Sequence, residues 1–312
     1  MKLEKVFFFV LCLCHSHVTD AKLYNEQENP FPSDVHVLLI GFDGWGSYSL
    51  EKADLPVLKK MMKEGCWTLK KRSVLPSSSA ANWASMFMGA SPEIHGYTKW
   101  NSRIPEIPSM VIGEHKIFPT IFQILHSQRP ESESGLFHNW SVIKWLVDTL
   151  SINRVSHIPV AKKREKYAEM TNSVVDYILE KTPTLCTVVY DYPDHYGHSD
   201  GFASELYFQS LKDLDRCLGK MVQAVKDAGI YDKTIIIVTS DHGGIEKTHG
   251  GKTLTEMETP FIIWGCNVKK NYEIKESMMQ YDIAATIAYI WGLEVPQVWI
   301  GRAVLSAFEK LR

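Results

Sequence analysis

Three short apolar runs rich in β-branched residues are each followed, two to four residues on, by an aspartate. Val35-His36-Val37-Leu38-Leu39-Ile40 precedes Asp43, the stretch from Thr184 to Tyr190 precedes Asp194, and Thr234-Ile235-Ile236-Ile237-Val238-Thr239 precedes Asp241. Runs of this length and composition fit strands covered on both faces, which requires helices above and below the sheet. Helical spacing fills the intervals. The pattern predicts helices over 55–64, 82–88, 120–127, 142–150, 161–181, 203–228 and 282–291, with further strands at 135–138, 184–190 and 260–264. This alternation predicts an α/β chain with a mainly parallel central sheet and helices on both faces. Right-handed crossovers then bring the strand C-termini to one edge, where ligands of such sheets gather. Three acids at three strand ends therefore point to one site. The stretch 99–119 carries three prolines and little periodicity, and reads as a loop or small cap over that edge.

The N-terminus is a separate object. Lys2 and Lys5 precede a nine-residue apolar stretch from Val6 to Cys14, and Thr19-Asp20-Ala21 supplies small residues at the first and third positions. This predicts a secretory signal peptide over 1–21, leaving 22–312 as a single domain in a secreted or lumenal compartment. The apolar stretch is too short to span a bilayer, so no transmembrane segment is expected in the mature chain. The net charge of -2 argues against a nucleic acid duplex as partner. Of six cysteines, Cys12 and Cys14 leave with the signal. Cys66, Cys186, Cys217 and Cys266 remain, and the sequence leaves open whether they pair or stay as buried thiols. Asn139-Trp140-Ser141 is an N-glycosylation sequon and suggests a glycoprotein.

The chemistry-bearing residues cluster at the predicted strand ends. Asp194-His195-Tyr196-Gly197-His198 sets a carboxylate and an imidazole four residues apart. Asp241-His242-Gly243-Gly244 supplies a second pair, with His249 seven residues further on. Carboxylates and imidazoles in this combination suit catalytic zinc, which keeps a position open for substrate. Leu75-Pro76-Ser77-Ser78-Ser79-Ala80-Ala81-Asn82 places serines just ahead of a predicted helix. A serine there either caps the helix or, beside a metal, acts as a nucleophile. His95 reads as structural. The basic runs Lys70-Lys71-Arg72 and Lys162-Lys163-Arg164 read as solvated faces.

Together these segments resemble the alkaline phosphatase superfamily, and within it the type I phosphodiesterase/nucleotide pyrophosphatase family, from Val35 to about Arg302. Phe42-Asp43-Gly44 is similar to the family's first metal aspartate. Ser79-Ala80-Ala81-Asn82, followed by Pro92-Glu93-Ile94-His95-Gly96, is similar to its nucleophile segment, with serine where the family usually has threonine. Tyr192-Pro193-Asp194 through Gly197-His198, and Ser240-Asp241-His242-Gly243, are similar to its second and third metal motifs. The compact placement of His249 is closer to phosphoethanolamine transferases of the superfamily. The resemblance implies an alkaline phosphatase-like fold and two Zn2+ ions, one held by Asp43, Asp241 and His242, the other by Asp194, His198 and His249. It also implies Ser79 as nucleophile, and Asn101 with the Ala80 amide as contacts to a phosphoryl oxygen. The expected activity is hydrolysis of a small-molecule or lipid-headgroup phosphate ester, foremost a phosphodiester, through a phospho-serine. The alternatives are a phosphomonoesterase, sulfatase or phosphoethanolamine-type phosphotransferase on the same scaffold, or a non-catalytic secreted binding protein.

Overall fold

The computed structural model describes residues 29–159 and 166–309. The expected leader at 1–21 and the basic run 162–164 lie outside the described residues. In chain order the elements are β1 (His36–Phe42), α1 (Pro56–Glu64), β2 (Cys66–Arg72), α2 (Ser79–Met88), α3 (Pro92–His95), α4 (Ile121–Gln128), β3 (Ser134–His138), β4 (Arg154–His157), α5 (Lys166–Lys181), β5 (Leu185–Tyr190), α6 (Asp194–Asp200), α7 (Glu205–Asp227), β6 (Thr234–Thr239), α8 (Leu254–Met257), β7 (Glu258–Gly265), β8 (Tyr272–Glu273) and α9 (Asp282–Trp291). Among the described residues the strands form one eight-stranded sheet in the order β4-β3-β5-β1-β6-β7-β2-β8. From β4 to β6 all neighbours are parallel, whereas β7 runs antiparallel to both β6 and β2. The expected α/β fold with a mainly parallel sheet and helices on both faces is what the chain adopts.

Strand side chains alternate between faces, and the core divides accordingly. Val37 and Leu39 of β1 join Ile235 and Ile237 of β6 under α2, α4 and α9. Leu38, Ile40 and Phe42 join Ile236 and Val238 on the other face, under α1, α5 and α7. Both faces of β1 and β6 are thus buried, which is why these strands read as unbroken apolar runs. Helix ends follow local chemistry. Thr120 accepts from the Gln123 amide to cap α4, and Gly292 ends α9 at φ +64°.

Two expectations change. The segment 142–150 forms two 3-10 turns, Ile143–Trp145 and Thr149–Ser151, instead of one helix. Asp148 accepts from Leu150 N and Ser151 Oγ, so its carboxylate starts a new turn and interrupts the old one. The run Lys70-Lys71-Arg72 lies in β2, and Lys71 is fully buried. Its ammonium donates to Ser240 O at 2.8 Å and to Gln280 Oε1, so internal carbonyl oxygens replace water as its partners. The loop 99–119 contains no helix or strand and exposes Trp100, Ile104 and Met110.

Asn139 of the sequon is buried, and its Nδ2 donates to Ile158 O at 2.8 Å. Cys66, Cys186, Cys217 and Cys266 are all free thiols, the first three buried. No helix among the described residues is long and apolar enough to cross a membrane.

Candidate active site

Strands β5, β1 and β6 are adjacent and parallel, so their C-terminal ends place Asp194, Asp43 and Asp241 side by side. Backbone contacts stitch the three loops together. Asp43 N donates to Tyr190 O, and Asp194 N donates to Asp43 O. Gly44 N donates to Asp241 Oδ1 at 3.1 Å, and Trp45 N to Ser240 Oγ at 2.9 Å. Gly44 sits at φ +71°, and a Cβ there would come within 2.7 Å of Asp194 Cβ, so both conformation and space call for glycine.

Asp194 opens α6 and His198 lies one turn on, so the four-residue spacing puts both on one helix face. His198 Nε2 stands 3.3 Å from Asp194 Oδ2. His249 Nε2 is 3.8 Å from Asp194 Oδ1 and 3.0 Å from His198 Nε2. Asp194, His198 and His249 form one group with ligand atoms within 4.8 Å of one another. A second such group is Asp43, Asp194 and His242. Asp241 stands beside it, its Oδ2 3.3 Å from His242 Nε2. Asp194 thus stands within reach of both groups. Asp191 joins neither.

Ser79 is the first residue of α2 and not its cap, a position taken by Ser78. Ser79 Oγ lies 3.1 Å from His242 Nε2 and 3.5 Å from Asp43 Oδ1. Ser77 is committed elsewhere, donating to Gly251 O at 2.6 Å. Asn82 locks the serine loop. Its Oδ1 accepts from Val74 N, and its Nδ2 donates to Pro76 O and Ser78 O. Asn101, by contrast, is exposed, and the Ala80 amide is taken by Trp100 O at 3.0 Å. His95 is buried beneath α2, with Nε2 2.9 Å from Ser85 Oγ and Nδ1 accepting from Tyr97 N.

The electrostatics suit a cation. Burial, reinforced by Asp241 and Asp194, pushes the Asp43 carboxyl well above its ordinary range, and burial does the same to Asp241. Asp194 is lowered: burial opposes the shift, and His198, His242 and His249 overcome it. Burial holds His242 down to about 3, so its imidazole stays neutral and keeps a lone pair. Asp194 Oδ1 and Asp241 Oδ2 are buried without a hydrogen-bond donor. Buried carboxylate oxygens with no donor, facing neutral imidazoles, fit divalent cations.

Two residues carry roles that no local sequence window revealed. Trp83 Nε1 donates to Asp43 Oδ2 at 2.9 Å. Lys71 reaches the Ser240 carbonyl one residue before Asp241. A cleft of about 580 Å3 opens over the histidines, lined by His198, His249, Ser78, Lys99 and Trp100.

The family model of type I phosphodiesterase / nucleotide pyrophosphatase matches residues 37–262, which contain every acid and histidine of this site. The chain belongs to that family. Human bis(5'-adenosyl)-triphosphatase ENPP4 is 24% identical over 228 residues, covering 66% of this chain and 47% of its own length. The chain thus spans about half the length of such curated relatives. A 2,3-bisphosphoglycerate-independent phosphoglycerate mutase of Thermomicrobium roseum is 30% identical over 147 residues, 45% of this chain and 27% of the mutase. Murine ectonucleotide pyrophosphatase/phosphodiesterase 5 shares the fold with a TM-score of 0.66 at 18% identity, covering 84% of this chain and 96% of that structure. A phosphonate monoester hydrolase of Silicibacter pomeroyi gives a TM-score of 0.66 at 15% identity, covering 86% and 75%.

Proposed function

We propose that the chain is a secreted or lumenal metal-dependent hydrolase of phosphate esters, with a phosphodiester or nucleotide pyrophosphate as substrate and Ser79 as nucleophile. The observation that carries this reading is the position of Ser79 Oγ at the start of α2, 3.1 Å from His242 Nε2 and 3.5 Å from Asp43 Oδ1. Asp43, Asp241, His242, Asp194, His198 and His249 would hold two divalent cations, zinc being the ion that best matches the mixed carboxylate and imidazole set. Bound there, the cations would supply the positive charge that lowers a hydroxyl pKa and offsets charge on the reacting phosphoryl group.

The residues themselves divide the remaining work. Asn82 fixes the loop from which Ser79 projects. The start of α2 directs its dipole toward the reacting group, a favourable place for an anion. Attack by Ser79 Oγ on phosphorus forms the phospho-serine and expels the alcohol or phosphate, and water then releases the phosphoryl group from Ser79. The cleft over His198 and His249 is large enough to take the departing group.

The deciding experiment is hydrolysis of an aryl phosphodiester by the purified chain, zinc-loaded and then chelated. Activity that disappears on chelation and returns with zinc supports the reading. Equal rates in both states would remove the metal from it, and no turnover of any phosphate ester by fully loaded protein would return the chain to a binding role.

A further inference from the structure

Of the six proposed ligands, His249 stands furthest from any helix or strand. Asp43, Asp241 and His242 follow strand ends within three residues, and Asp194 and His198 lie in α6. His249 comes ten residues after Thr239, the end of β6, and five before Leu254, the start of α8. Its ring is nonetheless fixed. Nδ1 donates to Ser77 O at 3.1 Å, which leaves Nε2 as the nitrogen turned toward Asp194 and His198. The same loop orients His198, whose Nδ1 donates to Lys247 O at 3.0 Å.

Both ends of that loop, 243–251, meet at Glu256. At one end Gly243 N donates to Glu256 O at 2.7 Å. At the other, Gly251 N donates to Glu256 Oε1 at 2.8 Å. Glu256 Oε2 accepts from Thr253 N at 3.2 Å and from Thr253 Oγ1 at 2.6 Å, so the carboxylate is held with Oε1 presented to Gly251. Ser77 Oγ completes the clamp by donating to Gly251 O at 2.6 Å. The fit is close, since a Cβ on Gly251 would lie 2.5 Å from Glu256 Oε2. Glu256 is 4% exposed and belongs to neither ligand group. Its bonds with Thr253 form a capping box, but α8 has only four residues and offers little helix to stabilise. What the carboxylate holds beyond its own helix is Gly251, two residues from His249, and a bond to a carboxylate is among the stronger ones.

Resting on the proposed metal-dependent hydrolase reading, we infer that Glu256 is a positioning residue for the cation site of Asp194, His198 and His249. It touches neither cation nor substrate. By closing the loop it holds the His249 imidazole, and through Lys247 O that of His198, with both Nε2 atoms facing Asp194. Without the carboxylate one end of the loop is released, and the entropy of ordering His249 then weakens cation binding.

Zinc titrated calorimetrically into the metal-free chain tests this apart from turnover. Wild type takes up two ions. Glu256→Ala keeps the ion held by Asp43, Asp241 and His242 and binds the second roughly 10–100-fold more weakly. His249→Ala weakens the same ion, and the double variant falls well short of the product of the two single losses, because Glu256 acts through the loop that carries His249. Glu256→Gln keeps an oxygen for Gly251 N and restores most of the affinity. Thr253→Ala removes the capping hydroxyl, leaves Gly251 N its acceptor and costs the second ion less than Glu256→Ala does. Aryl phosphodiester turnover by Glu256→Ala climbs as zinc is added, which a loss of folded protein would not produce. Should Glu256→Ala fail to fold, Gly251→Ala, whose methyl displaces the carboxylate, gives the same selective loss. Wild-type affinity for the second ion in the folded variant, or losses that multiply in full in the double variant, overturns the positioning role. Thr253→Ala as damaging as Glu256→Ala reduces Glu256 to a helix cap. A wild-type chain that binds the second ion through Glu256 but cleaves no ester supports the positioning role while defeating the hydrolase reading. A wild-type chain that binds no second ion defeats both.

Discussion

The Nε2 atoms of His198 and His249 stand 3.0 Å apart, although 51 residues separate them in sequence. Both face the Asp194 carboxylate. Without a cation the cluster uses a proton: the hydrogen bond to Asp194 raises His198 to about 9. A folded-state pKa above the unfolded value of about 6.5 stabilises the fold below pH 6.5, and that contribution is lost as pH rises through about 9. In chelator, wild-type stability should therefore decline relative to His198→Gln across this window in urea titrations. With zinc the sign reverses, because the metal displaces the proton and binds more tightly as pH rises. Parallel pH curves for wild type and variant in chelator would refute this.

Ser79 offers the most direct test of the chemistry. Ser79→Ala removes one oxygen from a helix start whose other bonds involve Asn82, Pro76 and the loop backbone. Turnover should fall to background while zinc content and the unfolding midpoint remain near wild type. Wild-type-like rates in this variant would assign the attack to water or to Ser78.

The frame of this site was legible in the sequence because its strands are buried on both faces. Strands β1, β5 and β6 are unbroken apolar runs, and their C-terminal acids follow at short distance. Edge strand β4, Arg154-Val155-Ser156-His157, has no apolar face and gave no signal. Strand β2 was hidden by its charges. Lys71 reads as solvated until Ser240 and Gln280, about 170 and 210 residues away, are brought beside it. The nearness of Asp194 to both candidate groups was equally out of reach, since motif spacing assigns each residue to its own strand end and says nothing of which loop lies between.

Lys71 yields a prediction for stability. Burial pushes its ammonium down to about 7. Between pH 7 and its ordinary value of about 10.4 the unfolded chain binds the extra proton, so this residue makes stability rise with pH. Lys71→Met should lose that slope. It also leaves one donor fewer for the Ser240 carbonyl, which retains Gln280 Nε2 at 3.2 Å, and the cost should be about 1–3 kcal/mol in urea unfolding at pH 7. Unchanged stability would mean that water replaces the ammonium without loss, and an unchanged slope would mean that Lys71 is not the group that sets it.

Asp43 has its two oxygens divided between structure and chemistry. Oδ2 accepts from Trp83 Nε1 at 2.9 Å, and Oδ1 is left to face Ser79 and His242. The indole can reach Asp43 only because β1 carries Gly41 beneath it, where a Cβ would lie 2.1 Å from Trp83 Cη2. Trp83→Phe keeps a ring in the core and removes only the N–H, so it should fold, yet bind zinc roughly 10–100-fold more weakly and lower kcat with little change in KM. Gly41→Ala acts from the other side. Its methyl would force the indole to shift, costing roughly 1–3 kcal/mol and releasing Asp43 as well. If the N–H orients the carboxylate, both variants weaken zinc binding but only Gly41→Ala destabilises the fold substantially. Zinc affinity in Trp83→Phe equal to wild type would show that Asp43 keeps its orientation without the indole, and would reduce Trp83 to a packing residue.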